Sequence, residues 1–207
     1  MEPIRGILFE PVGCLADFPS QPFLEIAAQL FGRKMKPTRS ASRAYWHLLN
    51  LMEAAGANTI ESLEVAAVDG AVVYDDVLPS LAELKAMGVR LFIASSLSNA
   101  AIARFLERCP HDFDAISTRD NSGGIKTAPL DHALQSAFLR PGNAMFLTDT
   151  AEGLTVGRSS GVHPILMMND PDESKRLAMR NFAGGVVSFH EIPDFVRLVR
   201  AENALAI

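Results

Sequence analysis

"GILFEPVGCLADF", residues 6–18, decides how the chain is read. Gly6 to Phe9 form a short run with no polar alternation, which suits a strand buried on both faces. A carboxylate, Glu10, closes the strand, and a small-residue turn follows at Pro11, Val12, Gly13 and Cys14. A strand that ends in such a turn is how a phosphate-handling site often begins.

The same kind of run recurs. "VRLFIAS" (89–95), "FDAIST" (113–118), "NAMFLT" (143–148), "HPILMM" (163–168) and "GVVSF" (185–189) read as strands. Helical patterns separate them. "LPSLAELKAMG" sets Leu81, Leu84 and Met87 on one side and stops at Gly88. "NAAIARFLER" starts on Asn99 as a cap and spaces Ile102, Phe105 and Leu106 for a helix. "APLDHALQSAFL" repeats Leu130, Leu134 and Phe138, and "EIPDFVRLVRAENAL" aligns Phe195, Leu198 and Val199. Strand and helix in this rhythm predict an α/β fold: a doubly wound parallel sheet covered on both sides.

Residues 17–75 break the rhythm, with three helical patterns in a row and no strand. They hold the only Trp, Trp46, beside Tyr45, Leu48, Leu49 and Met52. The stripe reads as core between helices or as the underside of a lid. "KMKPTRSASR" (34–43) reads as a solvated loop and helix start.

Composition narrows the function. Nearly half the residues are hydrophobic (48%), enough for a sizeable core, and the net charge of −5 comes with no Lys/Arg block, so neither nucleic acid nor an anionic membrane surface is an expected partner. Cys14 and Cys109 form no C-x-x-C pair and no zinc pattern. With no signal peptide and no spanning run in the sequence, the expected location is cytoplasmic.

Ligands of a doubly wound sheet gather at the carboxyl ends of its strands. Just past successive strands stand Glu10, then Ser95, Ser96 and Asn99, then Lys126 in "GGIKTAP", then Asp149 in "LTDTAEGL". A hydroxyl, an ammonium and backbone N–H groups can hold an anion; two carboxylates can hold a hard cation. Each also has a plain structural role: Ser95 as a small strand end, Lys126 as a solvated loop residue, Asp149 as a helix cap. "SGGIKT" is no P-loop, because Ile125 separates Gly124 from Lys126.

The order resembles the haloacid dehalogenase superfamily, in its phosphatase-like branch with a helical cap inserted after the first strand. Where that family has F-D-x-D-G-T-L the chain has "FEPVGCL"; "FIASS" supplies the Ser that ends the second strand; "KTAP" stands for K-P-x-P; and "TDTAEG" stands for G-D-T-x-x-D. "YDDVLPSLAELKAMG" is similar to the family's link from cap to core. The resemblance implies a core of residues 1–16 and 76–207 and a cap of 17–75. It also implies catalytic positions at Glu10, Ser95, Lys126 and Asp149. A magnesium site would use Glu10, the backbone carbonyl of Val12, and Asp149.

The departures from the pattern matter most. Glu10 replaces the nucleophilic Asp and sets the carboxylate about 1 Å further out, a displacement that can cost roughly 10²-fold. Val12 replaces the acid/base, a group worth about 10²–10⁴-fold, and Gly153 stands where an outer acid belongs. The resemblance therefore implies impaired phosphatase chemistry, at most weak magnesium binding, and a surviving capacity to hold a small phosphorylated or other anionic ligand. An active hydrolase remains the alternative, either a phosphatase or a metal-independent dehalogenase, since true haloacid dehalogenases lack the second acid. Without a ligand, Lys126 is expected to pair with Glu10 or Asp149. Cys14 reads as an inert small residue, and the five histidines as scattered. Monomer and homodimer stay open.

Overall fold

The computed structural model describes residues 3–32, 40–55, 60–169 and 184–205, together with Lys175 and Leu177. The first run forms β1 (Gly6–Phe9), buried throughout. The turn Pro11–Cys14 (α1) is interrupted: Val12 is extended and Gly13 is left-handed at φ 79°. A two-residue strand β2 (Ala16–Asp17) follows, then helices α2 (Ser20–Phe31), α3 (Ala41–Ala55) and α4 (Glu61–Asp69), then β3 (Val72–Val73). The chain continues as α5 (Val77–Ala86), β4 (Arg90–Ala94), α6 (Asn99–Leu106), β5 (Ala115–Ser117), the single turn α7 (Arg119–Ser122) and α8 (Thr127–Ser136). It closes with β6 (Ala144–Thr148), α9 (Ala151–Ser159), β7 (His163–Met167), β8 (Gly184–Val186) and α10 (Glu191–Leu205).

Six strands make one parallel sheet in the order β5-β4-β1-β6-β7-β8. β1 lies at its centre, with Phe9 in register with Ile93 on one side and Leu147 on the other. That register brings Glu10, Ser95 and Asp149 out on one edge. The doubly wound fold expected from the apolar runs is the observed one, because strands covered on both faces need no polar alternation.

Several local expectations are corrected. Residues 17–75 are not free of strand: β2 and β3 pair antiparallel, Ala16 with Val73 and Asp17 with Val72. Phe138 does not continue the α8 stripe; the helix ends at Ser136, and Phe138 turns out at φ 51° with 97% of its surface exposed. The buried face of α10 is Ile192, Val196 and Val199, while Leu198 is exposed. Ser98, not Asn99, caps α6 by accepting from the Ala101 N–H. Of the 34–43 patch, residues 34–39 lie outside the described residues. Tyr45, Trp46, Leu48, Leu49 and Met52 are all buried, so the aromatic stripe of α3 is core.

Candidate functional site

The end of β1 holds Glu10, which is 4% exposed. Its carboxyl accepts a hydrogen bond from Ser95 Oγ at 2.7 Å, and the backbone N–H groups of Val12 and Ser96 also point at it. Burial pushes this carboxyl up to about 8, with the nearby Asp149 charge adding to the rise; the three donors oppose it and do not win. At neutral pH Glu10 therefore mostly carries a proton. Two residues on, the Val12 side chain is fully buried and has no proton to give.

Gly13 is required where it stands. Besides its positive φ, a Cβ there would fall 2.1 Å from both Asp149 Oδ2 and Ser42 Oγ. The turn is fastened from outside by Asn169, whose Nδ2 donates to the Gly13 carbonyl and to the Tyr74 hydroxyl.

Asp149 lies past β6 and is 7% exposed. The cap of α9 is Thr150, whose hydroxyl accepts from the Gly153 N–H at 3.1 Å. Asp149 instead accepts from Ser42 Oγ at 2.6 Å, and the same hydroxyl lies 3.2 Å from the Val12 carbonyl. Ser42 belongs to α3, in the helical insert, and no motif pointed to it.

Lys126 is placed differently from expectation. It pairs with neither Glu10 nor Asp149; its ammonium meets the Glu53 carboxylate of α3 at 2.5 Å. Glu53 is 61% exposed, and the Lys126 side chain is 18% exposed. Lys126 itself adopts φ 61° and donates its N–H to Ser96 Oγ at 2.7 Å.

A buried ion pair completes the edge. Arg119 Nη1 meets Glu64 Oε1 and donates to the Ser96 carbonyl at 3.0 Å; Glu64 also accepts from the Ser98 N–H. These side chains are 4% and 0% exposed. Glu64 gave no sequence signal, but Arg119 sits two residues past β5, a strand-end position like the others. Between the two glutamates lies Tyr45, fully buried, with its hydroxyl close to Ser95 yet without a hydrogen-bond partner.

Two departures from the family pattern are coupled. Thr148 stands at the pattern's Gly and Gly153 at its second acid, and a Cβ on Gly153 would lie 1.9 Å from Thr148 Oγ1. The threonine fills the room that any side chain at 153 would need.

The donor set does not fit a magnesium ion. Among the described residues no cluster of three or more His, Cys, Asp or Glu side chains could hold a metal. The Ser42 hydroxyl already sits on Asp149 and on the Val12 carbonyl, two of the oxygens that a metal would need. Mg²⁺ needs near-octahedral oxygens at about 2.1 Å. Cys14 is buried and its thiol is pushed far up by desolvation, which makes it unreactive. Of the histidines, His132 meets Ser117 Oγ at 2.8 Å and His163 the Gly142 carbonyl at 3.0 Å.

Comparison with known proteins gives a family model described as haloacid dehalogenase-like hydrolase, matched over residues 27–167. No curated protein matches the chain. Among solved structures, a haloacid dehalogenase-like family hydrolase from Streptococcus pneumoniae aligns with TM-score 0.72 at 18% identity, covering 94% of this chain and 99% of that one. A HAD phosphatase from Thermococcus onnurineus gives TM-score 0.64 at 18% identity, covering 93% and 98%. An L-2-haloacid dehalogenase from Xanthobacter autotrophicus, with chloropropionic acid covalently bound, gives 0.62 at 14%, covering 94% and 98%. At these identities the likeness speaks for the fold. No helix among the described residues is long and apolar enough to cross a membrane.

Proposed function

The chain belongs to the haloacid dehalogenase-like hydrolase family, and from that premise we propose that it is a catalytically impaired member. In this reading it binds a small phosphorylated or other anionic molecule and turns it over poorly. Residues 17–75 serve as a cap over a core of 1–16 and 76–207. Ser95, Ser96 and Lys126 form the anion-holding side of the cleft, next to Glu10, with Asp149 on the other side of β1. The observation that carries the reading is Glu10, buried and neutral, with apolar Val12 in the acid/base position. A protonated carboxyl is a poor nucleophile, and a valine cannot protonate a leaving group.

The test is turnover of an activated aryl phosphate and a panel of sugar phosphates, with and without magnesium. A kcat/KM of ~10⁴ M⁻¹s⁻¹ or more, the ordinary enzyme range, on any of them overturns the proposal.

A second reading, metal-independent hydrolysis of a halogenated acid, is favoured by one observation: Glu10 keeps a carboxyl aligned by Ser95. It makes a different forecast. Turnover of 2-chloropropionate would be slow at neutral pH and rise as Glu10 ionises near pH 8.

A further inference from the structure

Helix α3 meets the site at more than one strand end. Ser42, Tyr45, Leu49 and Glu53 recur at the three- and four-residue spacing that keeps side chains on one helical face. Ser42 and Glu53 are eleven positions apart, a span of ~16 Å at about 1.5 Å per residue. Strands β6, β1 and β4 stand side by side in the sheet. The contacts along the helix follow that strand order. Ser42 lies on Asp149 past β6 and on the Val12 carbonyl past β1. Tyr45 lies by Glu10 and Ser95, at the ends of β1 and β4. Glu53 lies on Lys126, whose N–H donates to Ser96 Oγ just past β4.

We propose that α3 is a built-in occupant of the cleft, latched at one end by Ser42 and at the other by Glu53, so that a small oxyanion reaches Lys126 only by displacing the Glu53 carboxylate. The oxyanion part rests on the anion-binding reading above; the latch does not. Ser42 takes up Asp149 and the Val12 carbonyl, and Glu53 takes up the ammonium. A ligand bearing a phosphate group must therefore compete with the protein's own side chains, and its binding is coupled to release of the helix.

Trp46, the only tryptophan, reports on this directly: it lies one turn past Ser42 on α3 and is 3% exposed. The experiment is acrylamide quenching of Trp46 in the full chain. Parent, Ser42→Ala, Glu53→Gln and the double variant are compared, with Glu25→Gln on α2 as a surface control. The double variant should be quenched about threefold more strongly or better, since an opened population scales the accessible signal, while the control stays at the parent value. Quenching of the double variant equal to the parent overturns the latch. In a separate arm, inorganic phosphate is titrated by calorimetry. Glu53→Gln should bind it roughly tenfold more tightly than the parent, as removal of a competing state allows, and Lys126→Met should lose it. Equal phosphate affinity in Glu53→Gln and parent overturns the displacement. Enhanced quenching with no phosphate bound by any form keeps the latch and overturns the anion-binding reading.

Discussion

Two regions of the carboxyl edge each bury a glutamate, and they hold it in opposite ways. At the end of β1, Glu10 is met by one hydroxyl and two backbone N–H groups, all neutral, and burial pushes it up to about 8. Where α4 packs on α6, Glu64 is still more buried, but the guanidinium of Arg119 sits on it. Burial raises that carboxyl as well and still prevails, but here the Arg119 hydrogen bond and charge oppose it, as no cation does at Glu10. Neutral donors therefore satisfy a carboxyl's geometry without supplying the charge that would keep it ionised. A site that needs an ionised nucleophile at β1 lacks a cation there, since Lys126 is engaged elsewhere.

The comparison can be broken most forcefully at Arg119. Arg119→Leu leaves the buried Glu64 without its cation and should cost roughly 3–5 kcal/mol, while the double change with Glu64→Leu should recover most of it. Urea unfolding of the three proteins decides this. If the double variant is no better than the single one, the guanidinium is not what sustains Glu64.

A third buried carboxyl, given neither kind of partner, sharpens the contrast. Gly153→Asp drives a side chain into Thr148 and should destabilise by about 3 kcal/mol through overpacking and an unpartnered acid. Adding Thr148→Gly should return at least half of that loss in a thermal melt. Equal loss in both variants would mean that Thr148 is not the obstacle.

Glu10 itself predicts a pH signature. The folded carboxyl keeps its proton up to about 8, while the unfolded one releases it near 4.5. The folded state thus holds more protons between those values, and stability falls as pH rises through that window, levelling off above it. Glu10→Gln removes the slope and should be more stable than the parent by a few kcal/mol at about pH 9, with little difference near pH 4. Parallel stability curves for the two proteins would show that Glu10 has a charged partner after all.

The smallest effect belongs to the exposed pair. Glu53→Gln should change global stability by less than about 1 kcal/mol, because a half-solvated ion pair is screened. A larger loss in urea would place Glu53 among the supports of the fold as well as against Lys126.

The sheet was legible because its strands are buried on both faces, which leaves continuous apolar runs such as "FIA" and "MFL" with little else to be. The helix faces were less so. Leu130 and Leu134 promise Phe138, but periodicity does not say where a helix stops, and α8 stops two residues short of it. The strand-end residues could be located from order alone. Their partners could not: Ser42 and Glu53 lie on a helix far along the chain from Asp149 and Lys126, and nothing local in "SASRAYWHLLNLMEA" marks the face that turns to the sheet. Thr148 and Gly153 show the same limit at short range, for their exchange of bulk is visible only once α9 is seen folded against the end of β6.

The short ribbon of β2 and β3 has a consequence for motion. The chain leaves the sheet region through Leu15–Asp17 and returns through Val72–Tyr74, and these two crossings are tied to each other by the ribbon and by the Tyr74 N–H on the Leu15 carbonyl at 3.2 Å. Two independent tethers would let the helices above slide and twist over the sheet. Fused into one narrow strap, they act as one hinge line instead of two, and the buried Glu64–Arg119 pair on α4 is a second hold that any swing of the helices must break.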